Sequence, residues 1–138
     1  MSTNSNIAKV HENGTVTYIY CHWDGDLNHN GRILLNHYKD SQKIDQLIEL
    51  GSLSCLGTEI GEKHDFDSNP QNMCTAYGRD RGEMKTEAKT CESLEDYLQK
   101  DTNEYCYIFK NKEWYFRTHK NKNLNLLSAC EKCKENNA

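Results

Sequence analysis

Apolar and polar residues alternate with the period of a β-strand in two stretches near the start of the chain. Residues 7–12 and 15–23 flank Asn13-Gly14, the dipeptide that best tolerates a type I′ turn, so we predict an antiparallel hairpin. The pleat places alternate side chains of the second strand on opposite faces. One face carries Tyr18, Tyr20 and His22, and the other carries Ile19, Cys21 and Trp23. The polar residues 24–31 follow as a loop.

Helical periodicity replaces this alternation in the middle of the chain. Residues 31–38 form one predicted helix, and residues 41–50 form a second, which Ser41 caps and Gly51 ends. The polar residues 57–72 contain the only proline. A stretch of that length is typical of a functional lid or of a disordered loop.

Residues 73–78 are predicted to form a further strand, which leads into a cationic segment. Strand alternation puts alternate residues on opposite sides. One side carries Thr75, Tyr77, Arg79 and Arg81, and the other carries Cys74, Ala76 and Gly78. The small side suits close packing against a neighbouring element, whereas the large polar side suits a ligand.

The second half of the chain predicts one short helix and another hairpin. The helix begins at Ser93, with Asp96 at the capping-box position. Its inward-facing side chains are Leu94, Tyr97 and Leu98. Residues 104–110 and 113–118 flank Asn111-Lys112 and predict the hairpin.

These elements predict one α+β domain over residues 1–138. We expect a small, mostly antiparallel sheet of about five strands, with two or three helices on one face. Residues 1–6 and 131–138 are expected to fray. Leucines that can dock the tail onto the sheet are Leu124, Leu126 and Leu127.

Charge and hydropathy argue against two classes of protein, general nucleic-acid binders and membrane-spanning proteins. The chain has 138 residues, with 17 Lys and Arg against 21 Asp and Glu, which gives a formal net charge of −4. This balance argues against a general nucleic-acid binder, which needs a broad basic face. Because no apolar run has the length of a membrane span and residues 1–6 lack the hydrophobic region of a signal peptide, we expect a soluble intracellular protein.

Seven cysteines do not predict a disulfide framework or a metal centre. Their number is odd, and the predicted compartment is reducing. Cys130 and Cys133 have metal-like spacing, but no second pair completes a four-ligand zinc site. We therefore expect no metal and no cofactor. The cysteines expected to be small buried hydrophobes are Cys21, Cys74 and Cys106.

The cationic segment points to anion binding. Two guanidinium groups two residues apart on an extended strand, Arg79 and Arg81, suit bidentate contacts to phosphate oxygens. Gly78 and Gly82 beside them allow close approach of a ligand to the backbone. The structural alternative is a solvated turn in which Asp80 pairs with a lysine.

The aromatic segment Tyr20-Cys21-His22-Trp23-Asp24-Gly25 suits a ring-bearing ligand. Trp23 offers a broad face on which a purine can stack, and Asp24 can accept hydrogen bonds from a base or a ribose. The alternatives are that Trp23 anchors the core and that Asp24 caps a turn.

Catalysis has weaker support in the sequence. The histidines and aspartates do not have the spacing of a known metal-ligand motif. Cys21 and His22 are strand neighbours that point to opposite faces, so they cannot form a nucleophile–base dyad. We expect no catalytic residues.

The motifs resemble those of a family of small phage and prophage proteins. The resemblance covers residues 18–115 and is carried by four segments, which are Tyr20–Gly25, residues 31–38, residues 47–54 and residues 76–83. The family is identified as one that includes phage anti-CBASS sponge proteins, which sequester cyclic-nucleotide immune signals. Asp26 and Leu27 stand where the family pattern has Tyr-Pro.

The resemblance implies a non-catalytic binder, acting in the host cytoplasm, of a cyclic dinucleotide such as 3′3′-cGAMP. The expected ligand-binding residues are Tyr20, His22, Trp23, Asp24, Thr75, Tyr77, Arg79 and Arg81. A nearly two-fold symmetric ligand also suggests a homo-oligomer with pockets near its subunit contacts. Two alternatives stay open, namely a phosphodiesterase that degrades the signal and a protein-directed inhibitor of a host defence enzyme that uses the aromatic hairpin over residues 105–116.

Overall fold

The part of the chain that the structure describes contains eight strands and four helices. The structure is a computed structural model, and it describes residues 3–68, 70, 72–100, 103–121, 123–130 and 133. The strands are β1 (Ser5–Val10), β2 (Val16–Cys21), β3 (Leu53–Cys55), β4 (Thr75–Ala76), β5 (Lys89–Cys91), β6 (Tyr105–Lys110), β7 (Glu113–Thr118) and β8 (Asn125–Leu126). The helices are α1 (Arg32–His37), α2 (Ser41–Glu49), α3 (Tyr77–Arg81) and α4 (Leu94–Lys100).

All eight strands belong to one mixed sheet with the order β4-β3-β2-β1-β6-β7-β8. Strands β5 and β3 pair with the same edge of β2. Strand β5 pairs with the first residues of β2, and β3 pairs with its last residue. The β1–β6 and β2–β3 pairs are parallel, and the other pairs are antiparallel. The α+β class is therefore confirmed. The strand count exceeds the expected five because β3, β5 and β8 have only two or three residues each, too few to show an alternating pattern.

Both predicted hairpins are present, but their turns differ. Asn111 and Lys112 both have positive φ, as a type I′ turn requires. In the first hairpin Gly14 alone has positive φ, and its N–H donates to the His11 carbonyl at 2.9 Å. The expected type I′ turn at Asn13-Gly14 is therefore wrong. The Asn13 side chain instead accepts a hydrogen bond from the Thr15 backbone at 3.0 Å, which fixes a longer turn.

One face of the sheet carries the larger core, and α1 and α2 cover it. The helices contribute Leu34, Tyr38, Ile44 and Leu47, all fully buried against strand residues such as Ile7 and Tyr107. Asp40, not the expected Ser41, caps α2 by accepting from the Gln42 N–H at 3.2 Å.

Helices α1 and α2 thus match the expectation of two or three helices on one face, and α4 lies on the opposite face. Strand β1 buries Ile7 on one side and Ala8 on the other, which leaves an apolar strip on each face. Tyr97 of α4 packs on the second strip, with its ring 4.8 Å from that of Tyr18. The Ser93 hydroxyl accepts from the Asp96 N–H at 3.1 Å, which confirms the predicted cap.

The expected loop over residues 24–31 and the expected frayed start also differ from the structure. Leu27–Gly31 forms one π-helical turn that leads into α1, and its Asn30 is 1% exposed. Ser5 is fully buried in β1, so residues 5 and 6 are ordered. In the predicted tail, Leu127 is buried and Cys133 is buried, while residues 131, 132 and 134–138 lie outside the described residues.

None of the helices in the described residues has both the length and the apolar character needed to cross a membrane.

Candidate functional site

The two motif segments lie side by side because β3 runs between β2 and β4. Leu53 pairs with Cys21 on one side and with Ala76 on the other. The flanking backbone continues these ladders: the His22 N–H donates to Leu53 at 3.0 Å, and the Tyr77 N–H donates to Ser52 at 3.1 Å. Neighbouring strands are about 4.8 Å apart, so β2 and β4 are separated by about 10 Å.

The polar face predicted for β2 is confirmed. The Tyr20 hydroxyl lies 2.8 Å from Nδ1 of His22, which requires both side chains on one face, while Ile19 and Cys21 are buried in the larger core. Alternation adds polar side chains from the neighbouring strands to this face. The set, here called the open face, is Asn6, Tyr20, His22, Ser52, Ser54 and Tyr77.

A groove of about 340 Å³ lies on this side of the sheet. Helix α4 is only seven residues long and covers the face next to Val16 and Tyr18, so the half next to Tyr20 is left without a helix among the described residues. The residues that line the groove are Asn6, Tyr18, Ile19, Tyr20, Ser52, Glu87, Lys89 and Asn103. Most are polar or aromatic, so the groove combines hydrogen-bonding groups with aromatic rings.

Two aromatic pairs lie on either side of β3, His22 with Trp23 just after β2 and Phe66 with Tyr77 just after β4. These four side chains are here called the aromatic rim. His22 and Trp23 meet edge to face with ring centroids 4.7 Å apart, and Phe66 lies 5.5 Å from Tyr77 at an angle of 31°. Trp23 is 44% exposed. Strand β2 ends at Cys21, so the alternation stops there, and the expectation that Trp23 joins Ile19 and Cys21 on the core side is wrong.

A fixed turn holds Trp23 at the rim. Asp24 has φ of +58°, and a Cβ at Gly25 would lie 2.8 Å from the Asn4 backbone, so only glycine fits there. The buried Tyr107 hydroxyl donates to the Gly25 carbonyl at 2.6 Å. The exposed side chains of Trp23 and Asp24 are thus presented from a constrained backbone.

The strand expected over residues 73–78 is shorter than predicted, and a helix follows it. Strand β4 ends at Ala76, and α3 spans Tyr77–Arg81 and ends at Gly82, which has φ of +72°. Successive helical residues turn by about 100°, so Arg79 and Arg81 do not share one side as strand neighbours would. The buried Asp80 carboxylate accepts from the Ala76 N–H at 2.8 Å and stabilises the first helical turn.

Arg79 is held by protein groups. Its guanidinium donates to both Asp80 oxygens, at 2.9 and 3.1 Å, and to the carbonyls of Ile60 at 2.9 Å and Cys74 at 2.8 Å. Burial alone would raise the pKa of Asp80, but hydrogen bonds from Arg79 and from the Ala76 and His64 backbones lower it below its usual value. The pair therefore ties the backbones of Ile60 and Cys74 to α3, and Arg79 does not present a free fork to a ligand.

Arg81 is placed differently. Its guanidinium carbon lies 4.6 Å from the Phe66 ring centroid and 4.8 Å from that of Tyr77, so the charge stacks on the aromatic rim. It also pairs with Glu83 at 2.8 Å, but both side chains are nearly half exposed, and such pairs contribute little. Arg81 can therefore exchange Glu83 for an anionic ligand.

The long stretch over residues 57–72 is anchored at three described points. Glu59 forms a bridge with Met73, Phe66–Ser68 forms a 3₁₀ turn, and Phe66 packs on Tyr77. Both ring nitrogens of His64 face carbonyl oxygens, Asp65 at 2.8 Å and Cys74 at 3.1 Å. These hydrogen bonds raise the pKa of His64. Residues 69 and 71 are outside the described part.

Two tyrosines of the open face remain protonated at neutral pH. Burial raises the pKa of Tyr20, and Tyr77 raises it further. Burial also raises the pKa of Tyr77, although a hydrogen bond with Ser54 and the charge of Arg81 act in the opposite direction. Both phenols can therefore donate hydrogen bonds to a ligand.

The cysteines pack as small apolar side chains. Cys21, Cys74 and Cys106 are at most 1% exposed, which confirms that prediction, and burial raises the pKa of Cys21 to about 12. All seven are free thiols. In the residues that the structure describes, no three His, Cys, Asp or Glu side chains are grouped closely enough to hold one metal ion.

No protein-family model, curated protein or solved structure matches this chain. Function therefore has to be inferred from the residues that the fold brings together. Of the eight expected ligand-binding residues, six are accessible. Tyr20, His22, Trp23 and Tyr77 belong to the open face or the rim, and Asp24 and Arg81 lie beside the rim. Thr75 is 1% exposed and Arg79 is bound by protein groups. The sequence analysis did not identify Phe66, Glu87 or Lys89 as candidate site residues. The only local sign of a site at each position is one aromatic or charged residue within a polar stretch.

Proposed function

We propose that this protein is a non-catalytic viral sponge that binds a cyclic-nucleotide immune signal in the host cytoplasm. The best candidate is a cyclic dinucleotide such as 3′3′-cGAMP, and its sequestration would block CBASS signalling. The observation that carries the proposal is that Trp23, a large apolar residue, is 44% exposed just after β2, while the Arg81 guanidinium stacks on Tyr77 across β3 and Tyr20 lines a polar groove.

The rim offers the contacts that one nucleotide needs. A base stacks on the free face of Trp23, and stacking of this kind contributes about 1–3 kcal/mol per base. Arg81 neutralises a phosphate, and the Tyr77 hydroxyl donates to it. Asp24, exposed on the turn after Trp23, accepts from a base amino group or a ribose hydroxyl.

The groove offers a place for the second base. Tyr20 lines the groove and is also bonded to His22 of the rim, so the two regions are continuous. Lys89 in the groove supplies a second cation beside that base, whereas Arg79, which the sequence suggested as a phosphate contact, is bound by protein groups. An oligomer with its subunit contacts near the rim would suit the two-fold symmetry of the ligand, and light scattering with and without ligand measures this.

The protein-directed alternative has less support. Of the aromatic side chains in the hairpin β6–β7, Tyr107, Phe109 and Trp114 are at most 6% exposed and belong to the core. They are not available as a contact surface.

Titration calorimetry of the full chain with a panel of cyclic dinucleotides and cyclic trinucleotides tests the proposal. We expect submicromolar binding of at least one member, and weaker binding to the Arg81→Ala variant. Failure of every member to bind below micromolar concentration would refute the sponge proposal.

A further inference from the structure

We propose that the groove is a guanine-selective base site, in which Glu87 and Lys89 read the edge of the base. The inference rests on the proposed function and deepens it, because it names the base that the groove accepts. Glu87 and Lys89 both line the groove, two residues apart, opposite the tyrosine side of β2.

The groove offers an aromatic surface for a flat ring. Tyr18 and Tyr20 lie two residues apart on β2 and form part of its lining. The Tyr18 ring is fixed from the other side by Tyr97, at a centroid distance of 4.8 Å. Two tyrosine side chains on one strand face give a surface on which a base can lie.

The wall that carries Glu87 is held in place by backbone contacts. The Ser52 N–H donates to the Thr86 carbonyl at 2.7 Å, which ties this segment to the start of β3. A Cβ at Gly51 would lie 2.2 Å from that carbonyl oxygen, so the close approach depends on glycine. Lys89 begins β5 and pairs with Tyr18 across the ladder. Glu87 and Lys89 thus project from a supported backbone.

The order of the two charged side chains matches the order of hydrogen-bond donors and acceptor along the edge of guanine. The edge of guanine presents two adjacent donors, N2–H₂ and N1–H, followed by the O6 acceptor. An ionised carboxylate only accepts hydrogen bonds, and an ammonium only donates them. Glu87 stands two residues before Lys89, the first residue of β5, and residues two apart are separated by at most about 7 Å, so Glu87 can accept from the donor pair while Lys89 donates to O6.

Adenine mismatches this pair at both positions. Its N1 is an acceptor and would face the Glu87 carboxylate, and its N6 amino group is a donor and would face Lys89. Each mismatch replaces an attractive contact between the base and a charged side chain with a repulsive one. A well-placed pair of this kind discriminates between bases by at least about tenfold.

The test is a calorimetric comparison of c-di-GMP, 3′3′-cGAMP and c-di-AMP on the full chain. We expect the two guanine-containing ligands to bind at least about tenfold more tightly than c-di-AMP. Glu87→Gln should remove most of that preference, because an amide can donate as well as accept. Glu83→Gln, a matched change on the exposed partner of Arg81, should leave the preference unchanged. Equal binding of c-di-AMP, or a preference that survives Glu87→Gln, would overturn the inference.

A second measurement separates this inference from the sponge proposal. GMP and AMP are titrated against the protein, and the NMR signals of Tyr18 and Tyr20 are followed. If no member of the cyclic-nucleotide panel binds but GMP shifts these signals at lower concentration than AMP, the sponge proposal fails and the guanine site stands. If cyclic dinucleotides bind and GMP has no advantage over AMP, the guanine site fails. If neither binds, both fail.

Discussion

The guanidinium of Arg79 donates to both carboxylate oxygens of its neighbour Asp80, at 2.9 Å from Nε and 3.1 Å from Nη2. The Asp80 side chain has no exposed surface, and that of Arg79 is 17% exposed. Arg81, two residues later, is on the aromatic rim with 49% of its side chain exposed. The two arginines of one short motif therefore have different roles, one in stability and one at the surface where we propose that the ligand binds.

Arg79→Ala should strongly destabilise the protein. Removing the guanidinium leaves the Asp80 charge buried without its partner, and breaking a buried pair in this way costs about 3–5 kcal/mol. Arg81→Ala is the matched control, and we expect its free energy of unfolding to stay within about 1 kcal/mol of wild type, because the Arg81–Glu83 pair is exposed and exposed cation–π stacking contributes about 0.5–1 kcal/mol. Urea denaturation measures both. An Arg79→Ala variant as stable as wild type would show that the Arg79–Asp80 pair is not structural.

In contrast to Arg79→Ala, Trp23→Ala should have a large effect on ligand binding and a small effect on stability. Because nearly half of the Trp23 surface is exposed, its removal should lower the free energy of unfolding by only about 1 kcal/mol. Loss of the stacked base should weaken ligand binding by about 1–3 kcal/mol. Trp23→Phe keeps a ring and should recover part of the affinity. Unchanged affinity in Trp23→Ala would remove Trp23 from the site.

His64 should make stability depend on pH. Its two ring nitrogens face the carbonyl oxygens of Asp65 and Cys74, so both hydrogen bonds form only when the ring is protonated. Those two bonds raise the pKa of His64, and the Asp80 charge acts in the same direction, while burial and the charge of Arg79 oppose it. A group whose folded pKa is raised stabilises the protein below its unfolded pKa and loses that contribution as pH rises through the folded value.

The check compares the unfolding free energy of wild type and His64→Gln at pH 6 and pH 8.5. We expect the stabilisation due to His64 to be larger at pH 6, by about the 0.5–1.5 kcal/mol of one hydrogen bond. Asp80 cannot produce this difference, because its pKa is lowered and its contribution is lost only in acid. A difference between the two proteins that does not change with pH would contradict the assigned hydrogen bonds.

Strand alternation predicted one half of the site correctly. Residues 15–23 are rich in β-branched and aromatic residues, so their period of two is unambiguous and places Tyr20 and His22 opposite Ile19 and Cys21. The same reasoning failed where a strand ended early. Strand β2 stops at Cys21, and Trp23 consequently leaves the core side.

The other half of the site depends on contacts between distant residues. No local sequence pattern marks residues 77–81 as a helix. The Asp80 carboxylate that stabilises this helix accepts from the Ala76 backbone and also from the backbone of His64, which lies in a distant segment. Phe66 is one aromatic residue in a long polar stretch, and only its packing on Tyr77 makes it part of the rim. The spacing of apolar and polar residues along the sequence does not reveal such long-range contacts.

Capture without turnover is tested most directly by recovering the ligand. The protein is incubated with limiting 3′3′-cGAMP, separated from free nucleotide on a desalting column and then heated, and the released nucleotide is identified by mass spectrometry. We predict that the nucleotide stays with wild-type protein, is lost from Arg81→Ala, and is released by heat with its mass unchanged. A mass increased by one water would show hydrolysis, and a wild-type fraction without nucleotide would show that this signal is not captured.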